Sequence, residues 1–228
     1  MECSQFMKIL KELLISWSPE ISLGEMTECN CLNCKTPVIN FDKIKDFCCT
    51  KEKYALPSLS SVDCLYFDEH RSTLYLLECK DFQQYKKFNQ DREFCKKLRH
   101  NTGLTKQQLI EAFTRDFFAN MEINLTNKLI DSYALLLAIV GEHAEKFSND
   151  LSRFSCLLNR KILKIKYFII TNLNEQDYEI ARISNLENYN EFMSYRKFRF
   201  LSKTAIIAAN EFDELIQIAN SINQYTEL

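Results

Sequence analysis

The chain has 228 residues, 46% of them hydrophobic, which excludes a disordered polymer and suits one large domain or a core with an insertion. Its formal charge of -2 excludes a uniformly basic nucleic-acid binder, so any contact with a polyanion has to use local patches. Three glycines and three prolines leave no GxGxxG or GxxxxGK phosphate loop.

The first predicted element is a helix over residues 4–16, where Phe6, Ile9, Leu10, Leu13 and Leu14 recur at helical spacing. Lys8, Lys11 and Glu12 interrupt its apolar residues, so it lacks the continuous centre of a signal peptide. The longest apolar run, Ala134 to Val140, is too short to span a bilayer, and a cytoplasmic protein without a membrane partner is expected. Pro19 and Gly24 close the helix.

Residues 25–60 are cysteine-rich and irregular, with a short strand expected near Val38 to Phe41. Cys29, Cys31 and Cys34, followed by Cys48 and Cys49, supply enough thiolates for a structural Zn²⁺. The C-x-C-x₂-C spacing is not a standard knuckle; an iron–sulfur cluster and plain reduced thiols are the other readings. Ten cysteines in a reducing compartment are not expected to form disulfides. Cys64, Cys79 and Cys156 sit inside apolar runs and read as small buried hydrophobes.

A β-hairpin is predicted next. SVDCLYF (61–67) and STLYLLECKDF (72–82) are rich in β-branched, aromatic and aliphatic residues, and DEHRS (68–72) is a polar turn. Strands apolar nearly throughout belong at the centre of a sheet covered on both faces. Residues 83–124 read as a charged helical insertion, and 125–147 as a helix capped at Thr126 or Asn127. A buried strand follows at 164–173, a helix at 175–192, a strand at 203–210 and a closing helix from Glu211. This order is mixed α/β.

The chemistry concentrates on the hairpin. Glu78 and Lys80, two apart on a strand, share a face that Leu77 and Cys79 do not. A carboxylate and an ammonium on an apolar central strand are costly unless they pair or serve a site. Asp63 falls opposite Leu77 or Glu78. In the second register the two carboxylates stand about 5 Å apart and repel each other unless a cation intervenes. Hard oxygen ligands suit Mg²⁺ or Mn²⁺. The plain alternative is that Glu and Lys two apart on a strand are simple surface charges.

Asp63 followed by Glu78-Cys79-Lys80 resembles the D-x(n)-(D/E)-x-K signature of the PD-(D/E)xK nuclease superfamily. Val62 stands where that motif often has proline, and the insertion at 83–124 lies outside its minimal core. The resemblance covers about twenty residues in motif. In architecture it implies a restriction-endonuclease-like sheet: a helix, three antiparallel strands, a helix and a further strand. It also implies a metal-dependent nuclease acting on DNA, in which Asp63 and Glu78 hold Mg²⁺ and Lys80 assists the attacking water. Members often place an acidic residue on the first helix, for which Glu12 is the first candidate and Glu20 the second. They also often send a polar residue from the helix after the hairpin, for which Lys128 and Ser132 are the candidates. The alternative is a catalytically inactive nuclease-fold or zinc-stabilised module that binds nucleic acid or a protein partner.

The basic stretches Lys86, Lys87, Arg92, Lys96, Lys97, Arg99 and Arg196, Lys197, Arg199 read as solvated faces or as backbone-binding patches. His70, His100 and His143 lack the sequence context of a catalytic histidine and read as surface residues.

Overall fold

The computed structural model describes residues 3–26, 34–50, 59–80, 100–103, 105–147, 152–159, 161–171 and 200–226. The expected helix at 175–192, both basic stretches, and Cys29 and Cys31 lie outside these residues.

Among the described residues, six strands form one mixed sheet, and their order in the sheet is their order in the chain. They are β1 (Glu20–Ser22), β2 (Pro37–Asn40), β3 (Cys64–Asp68), β4 (Thr73–Lys80), β5 (Lys164–Thr171) and β6 (Leu201–Ala208). The first four pair antiparallel, and β4, β5 and β6 run parallel. A parallel neighbour needs a crossover that returns the chain to the same end of the sheet. The crossover from β4 to β5 carries α3 (Lys106–Glu142) and α4 (Ser152–Leu158). The other α-helices of the described residues are α1 (Cys3–Ile15), α2 (Phe41–Thr50) and α5 (Ala209–Thr226).

Strand alternation divides the core in two. Leu65 and Phe67 of β3, Leu74 and Leu76 of β4, and Ile165, Tyr167 and Ile169 of β5 face α1 and α3. Against them pack Phe6, Leu10, Leu13 and Leu14 of α1 and Leu125, Leu129, Leu136 and Ile139 of α3. The opposite face presents Tyr66, Tyr75 and Phe168 to Phe212 and Ile216 of α5. Rings meet there edge to face: Tyr75 on Phe168 at 5.3 Å and 83°, Tyr66 on Phe212 at 6.0 Å and 90°. Cys64, Cys79 and Cys156 are buried among apolar neighbours, as their apolar flanks predict.

Asp213 ties α5 to the chain entering β2, its Oδ1 accepting N–H bonds from Lys35 at 3.1 Å and Thr36 at 2.7 Å. The hairpin closes through Glu69–Ser72, where Ser72 takes a positive φ of 46°. For a non-glycine residue that conformation costs about 1 kcal/mol. The chain uses it to turn the Ser72 carbonyl to the Lys164 N–H at 2.9 Å, which joins the turn to β5.

The strand read at 203–210 and the closing helix each begin two residues earlier than expected, and two larger departures concern the elements around the hairpin. No helix begins at residue 125: α3 runs unbroken from Lys106 across the whole expected junction. No glycine or proline lies between Lys106 and Val140, so nothing in the backbone stops it. The working cap is Thr105, which accepts the Gln108 N–H at 3.2 Å while the Gln108 side chain accepts the Thr105 N–H at 2.9 Å. Within the stretch expected to be irregular, Asn40 starts α2, its side-chain oxygen accepting the Lys43 N–H at 2.9 Å. Among the described residues, no helix is long and apolar enough to cross a membrane.

Candidate functional site

The antiparallel ladder pairs Cys64 with Leu77, so one step further Asp63 comes opposite Glu78. Asp63, Glu78 and Lys80 have the parity of Leu65, Leu74 and Leu76, and all three face α1 and α3. Asp63 is 2% exposed and Glu78 is fully buried, so this is not a pair of surface charges.

Three contacts orient Asp63. Its carbonyl accepts the Phe41 N–H at 2.9 Å, which couples it to the start of α2. Its Oδ2 accepts the Cys79 N–H at 2.6 Å, which turns Oδ1 toward α3. There the Lys128 ammonium meets Oδ1 at 3.1 Å and Glu78 Oε1 at 2.8 Å, bridging the two carboxylates. Lys80 approaches the same Oε1 at 2.6 Å. Glu78 Oε2 is buried and has no hydrogen-bond partner among the described residues.

α3 also fixes the chain leading into Asp63. Ser132, one turn beyond Lys128, accepts the Val62 N–H at 2.8 Å, and Asp131 accepts the Ser60 N–H at 3.0 Å. Ser132 therefore positions the backbone beside Asp63, while Lys128 reaches the carboxylates themselves. On α2, Asp42 receives a bond from the Ser61 hydroxyl and pairs with Lys45 at 2.9 Å. Lys45 in turn acts electrostatically on Lys128.

Burial dominates the electrostatics. It pushes the Glu78 carboxyl up to about 7, and the neighbouring Asp63 charge adds to the shift, outweighing the attraction of Lys80 and Lys128. Burial likewise raises Asp63, against the pull of Lys128 and the Cys79 N–H. For Lys128, burial works against its charge, but Glu78 and Asp63 prevail and its pKa rises.

Four sequence candidates thus meet: Asp63, Glu78, Lys80 and Lys128. Glu12 is exposed on α1 and is not among the charged groups acting on either carboxylate. Glu20 pairs with Lys11 at 3.2 Å, and Lys11 also meets Glu69 in the hairpin turn at 3.5 Å. Asp42, Lys45 and Asp131 were not read from the sequence, although Asn40 three residues before Lys43 is a usable cap signal for the helix that carries two of them. Of the cysteines considered for zinc, Cys34 packs in the cluster beneath α5 and Cys48 in the one beneath α1, on the two faces of the sheet.

Asp63 Oδ1 and Glu78 Oε1, brought together across the hairpin, are hard donors of the kind a divalent cation takes, while Glu78 Oε2 is buried and lacks a donor among the described residues. Among the described residues no third aspartate, glutamate, histidine or cysteine joins the pair, so water and phosphate oxygens would have to complete the coordination. Comparison of the chain with protein-family models, with curated proteins and with solved structures found no match.

Proposed function

We propose that this chain is a divalent-metal-dependent nuclease of the PD-(D/E)xK type that hydrolyses phosphodiester bonds, in DNA before other substrates. The observation that carries the reading is that one cation, the Lys128 ammonium, touches Asp63 Oδ1 and Glu78 Oε1 at once, with Lys80 beside them. A buried carboxylate pair within reach of a single cation is costly to build and is the arrangement expected of a metal-assisted site. The element order supports the reading in part: a first helix precedes an antiparallel run of strands, and a helix leads from β4 to a strand parallel to it, although the antiparallel run has four strands and α2 lies between β2 and β3.

Asp63 and Glu78 would hold Mg²⁺ or Mn²⁺. When bound, such an ion polarises a phosphate and lowers the pKa of water. The protein's own groups divide the remaining work. The Cys79 N–H and the Phe41–Asp63 backbone bond hold the Asp63 carboxylate in orientation. Lys80 lies where an ammonium can orient water or offset charge developing on phosphorus. Lys80 and Lys128 bring two ammonium groups to the site, and these would become available to a polyanionic substrate once a divalent ion takes over the carboxylates.

The test is a cleavage assay on single- and double-stranded DNA and RNA with Mg²⁺ and with chelator. Wild-type protein should cut only with metal. Glu78→Gln should not cut, and Lys80→Ala should not cut while still binding metal, because an ammonium is not a ligand. Wild-type protein that neither binds Mg²⁺ or Mn²⁺ nor cuts any of these substrates overturns the reading.

One observation favours a second reading. Lys128 and Lys80 together neutralise the two carboxylates without any ion. That would suit a nuclease-fold module that has kept the buried charges and binds nucleic acid or a protein without cutting.

A further inference from the structure

The oxygens of the carboxylate pair that face α3 are already occupied by ammonium groups, and one of these groups holds both carboxylates. Asp63 Oδ2 is turned to the Cys79 N–H, and Glu78 Oε2 is sealed from solvent. The two oxygens left for an incoming ion, Asp63 Oδ1 and Glu78 Oε1, are the two that Lys128 bridges. An ion at the usual distance of about 2.0–2.1 Å from those oxygens and the Lys128 ammonium cannot share the position.

Charge leads to the same point. Asp63 and Glu78 carry two negative charges when ionised, and Lys80 and Lys128 carry two positive charges. A divalent ion added to this balanced set would leave a surplus of two positive charges in a largely buried place. Moving Lys128 outward removes the worst of that repulsion, and its side chain, 24% exposed at the end of a flexible stem, has a route to solvent. Rotation about its χ angles moves the ammonium without disturbing α3, which Leu125, Leu129 and Ser132 keep docked.

We propose that Lys128 is the resident cation of the site: its ammonium holds the bridging position until a divalent ion displaces it, and the released ammonium then turns to the phosphate backbone. The inference rests on the nuclease reading and adds its regulation. The protein alone binds metal weakly, because the ion has to expel a hydrogen-bonded cation. A polyanion gives the expelled ammonium a new partner, so metal and nucleic acid each strengthen the binding of the other. Among the described residues Lys80 pairs with Glu78 Oε1 and not with Asp63, so the position between the two carboxylates belongs to Lys128.

The experiment is a calorimetric titration of Mn²⁺, without nucleic acid, into wild-type protein and Lys128→Met. The variant should bind at least tenfold more tightly. If wild type and Lys128→Met bind Mn²⁺ equally, or the variant more weakly, the displacement idea falls and the nuclease reading stands. If neither binds, displacement is overturned, and the cleavage assay alone then decides the nuclease reading. Should Lys128→Met fail to fold, wild-type protein supplies the second measurement. Limiting acetic anhydride, read out by mass spectrometry on the peptide carrying Lys128, should acetylate that residue several-fold more at an Mn²⁺ concentration that calorimetry shows to be saturating. Labelling that is unchanged or reduced there overturns displacement.

Discussion

Asp63 and Cys79 are joined across the hairpin by a side chain where a ladder would use backbone: Asp63 Oδ2 accepts the Cys79 N–H at 2.6 Å, beyond the point where the β3–β4 pairing ends. The same carboxylate therefore closes the sheet and presents its other oxygen to the site.

This double duty separates two substitutions at Asp63. Asp63→Ala removes the carboxylate that accepts the buried Cys79 N–H and takes from Lys128 one of its anions, a loss of about 1–3 kcal/mol. Asp63→Asn keeps an oxygen for Cys79 and should lose less than half as much, while metal affinity falls in both. Urea denaturation and Mn²⁺ calorimetry on the two variants check the split. Equal destabilisation by Asn and Ala would show that the Cys79 bond contributes little.

In the presence of chelator, stability should fall from mildly acidic to mildly alkaline pH because of Glu78. Its carboxyl holds a proton up to about 7 in the folded protein against 4.5 in the unfolded chain, so the folded state binds more protons between those values. The contribution is complete below about pH 4.5 and is lost as pH rises through about 7. Asp63, also raised by burial, acts in the same direction. Glu78→Gln removes this slope. The difference in urea midpoint, variant minus wild type, should grow in favour of the variant from pH 5 to pH 8. A difference that shrinks over that range contradicts the burial of Glu78 as an anion.

Ser132→Ala should cost about 1–3 kcal/mol although it removes one oxygen atom, because the buried Val62 N–H loses its acceptor. Ser132→Thr keeps the hydroxyl and should recover most of the loss if the added methyl fits. Thermal unfolding of the pair decides it. Because Ser132 sets the backbone beside Asp63 and touches neither carboxylate, Ser132→Ala should weaken Mn²⁺ binding far less than Asp63→Asn.

The hairpin was legible because β-branched and aromatic runs flank one polar turn, and strand alternation alone puts Asp63, Glu78 and Lys80 on one face. Lys128 and Ser132 were legible as a pair one turn apart, but not their division of labour, which depends on where α3 crosses the sheet. The start of α3 was misread at Thr126, whose hydroxyl is buried and makes no cap. A cap residue inside a stretch free of glycine and proline does not end or begin a helix when apolar burial continues past it. α2 escaped notice because its charged, cysteine-containing sequence looks like a loop; its burial comes from Phe41, Ile44 and Cys48 against a sheet that no local window contains.

Because strand order in the sheet follows the chain, the molecule has a natural order of assembly. β3 and β4 meet across four residues, Glu69–Ser72, whereas Lys128 arrives from a helix far along the chain. Loop closure favours the hairpin first. Asp63 and Glu78 then face each other before their counter-charge is present, and the nascent hairpin carries a repulsion that the finished protein offsets. Refolding in stopped-flow should accelerate as pH falls through the carboxylate range, and Glu78→Gln should remove most of that acceleration. Lys128→Met should speed unfolding and leave the refolding rate nearly unchanged. Should it slow refolding in proportion to its loss of stability, α3 docks before the rate-limiting step and the order is reversed. The residues that make the site chemically capable are, during folding, the ones that hold its two halves apart.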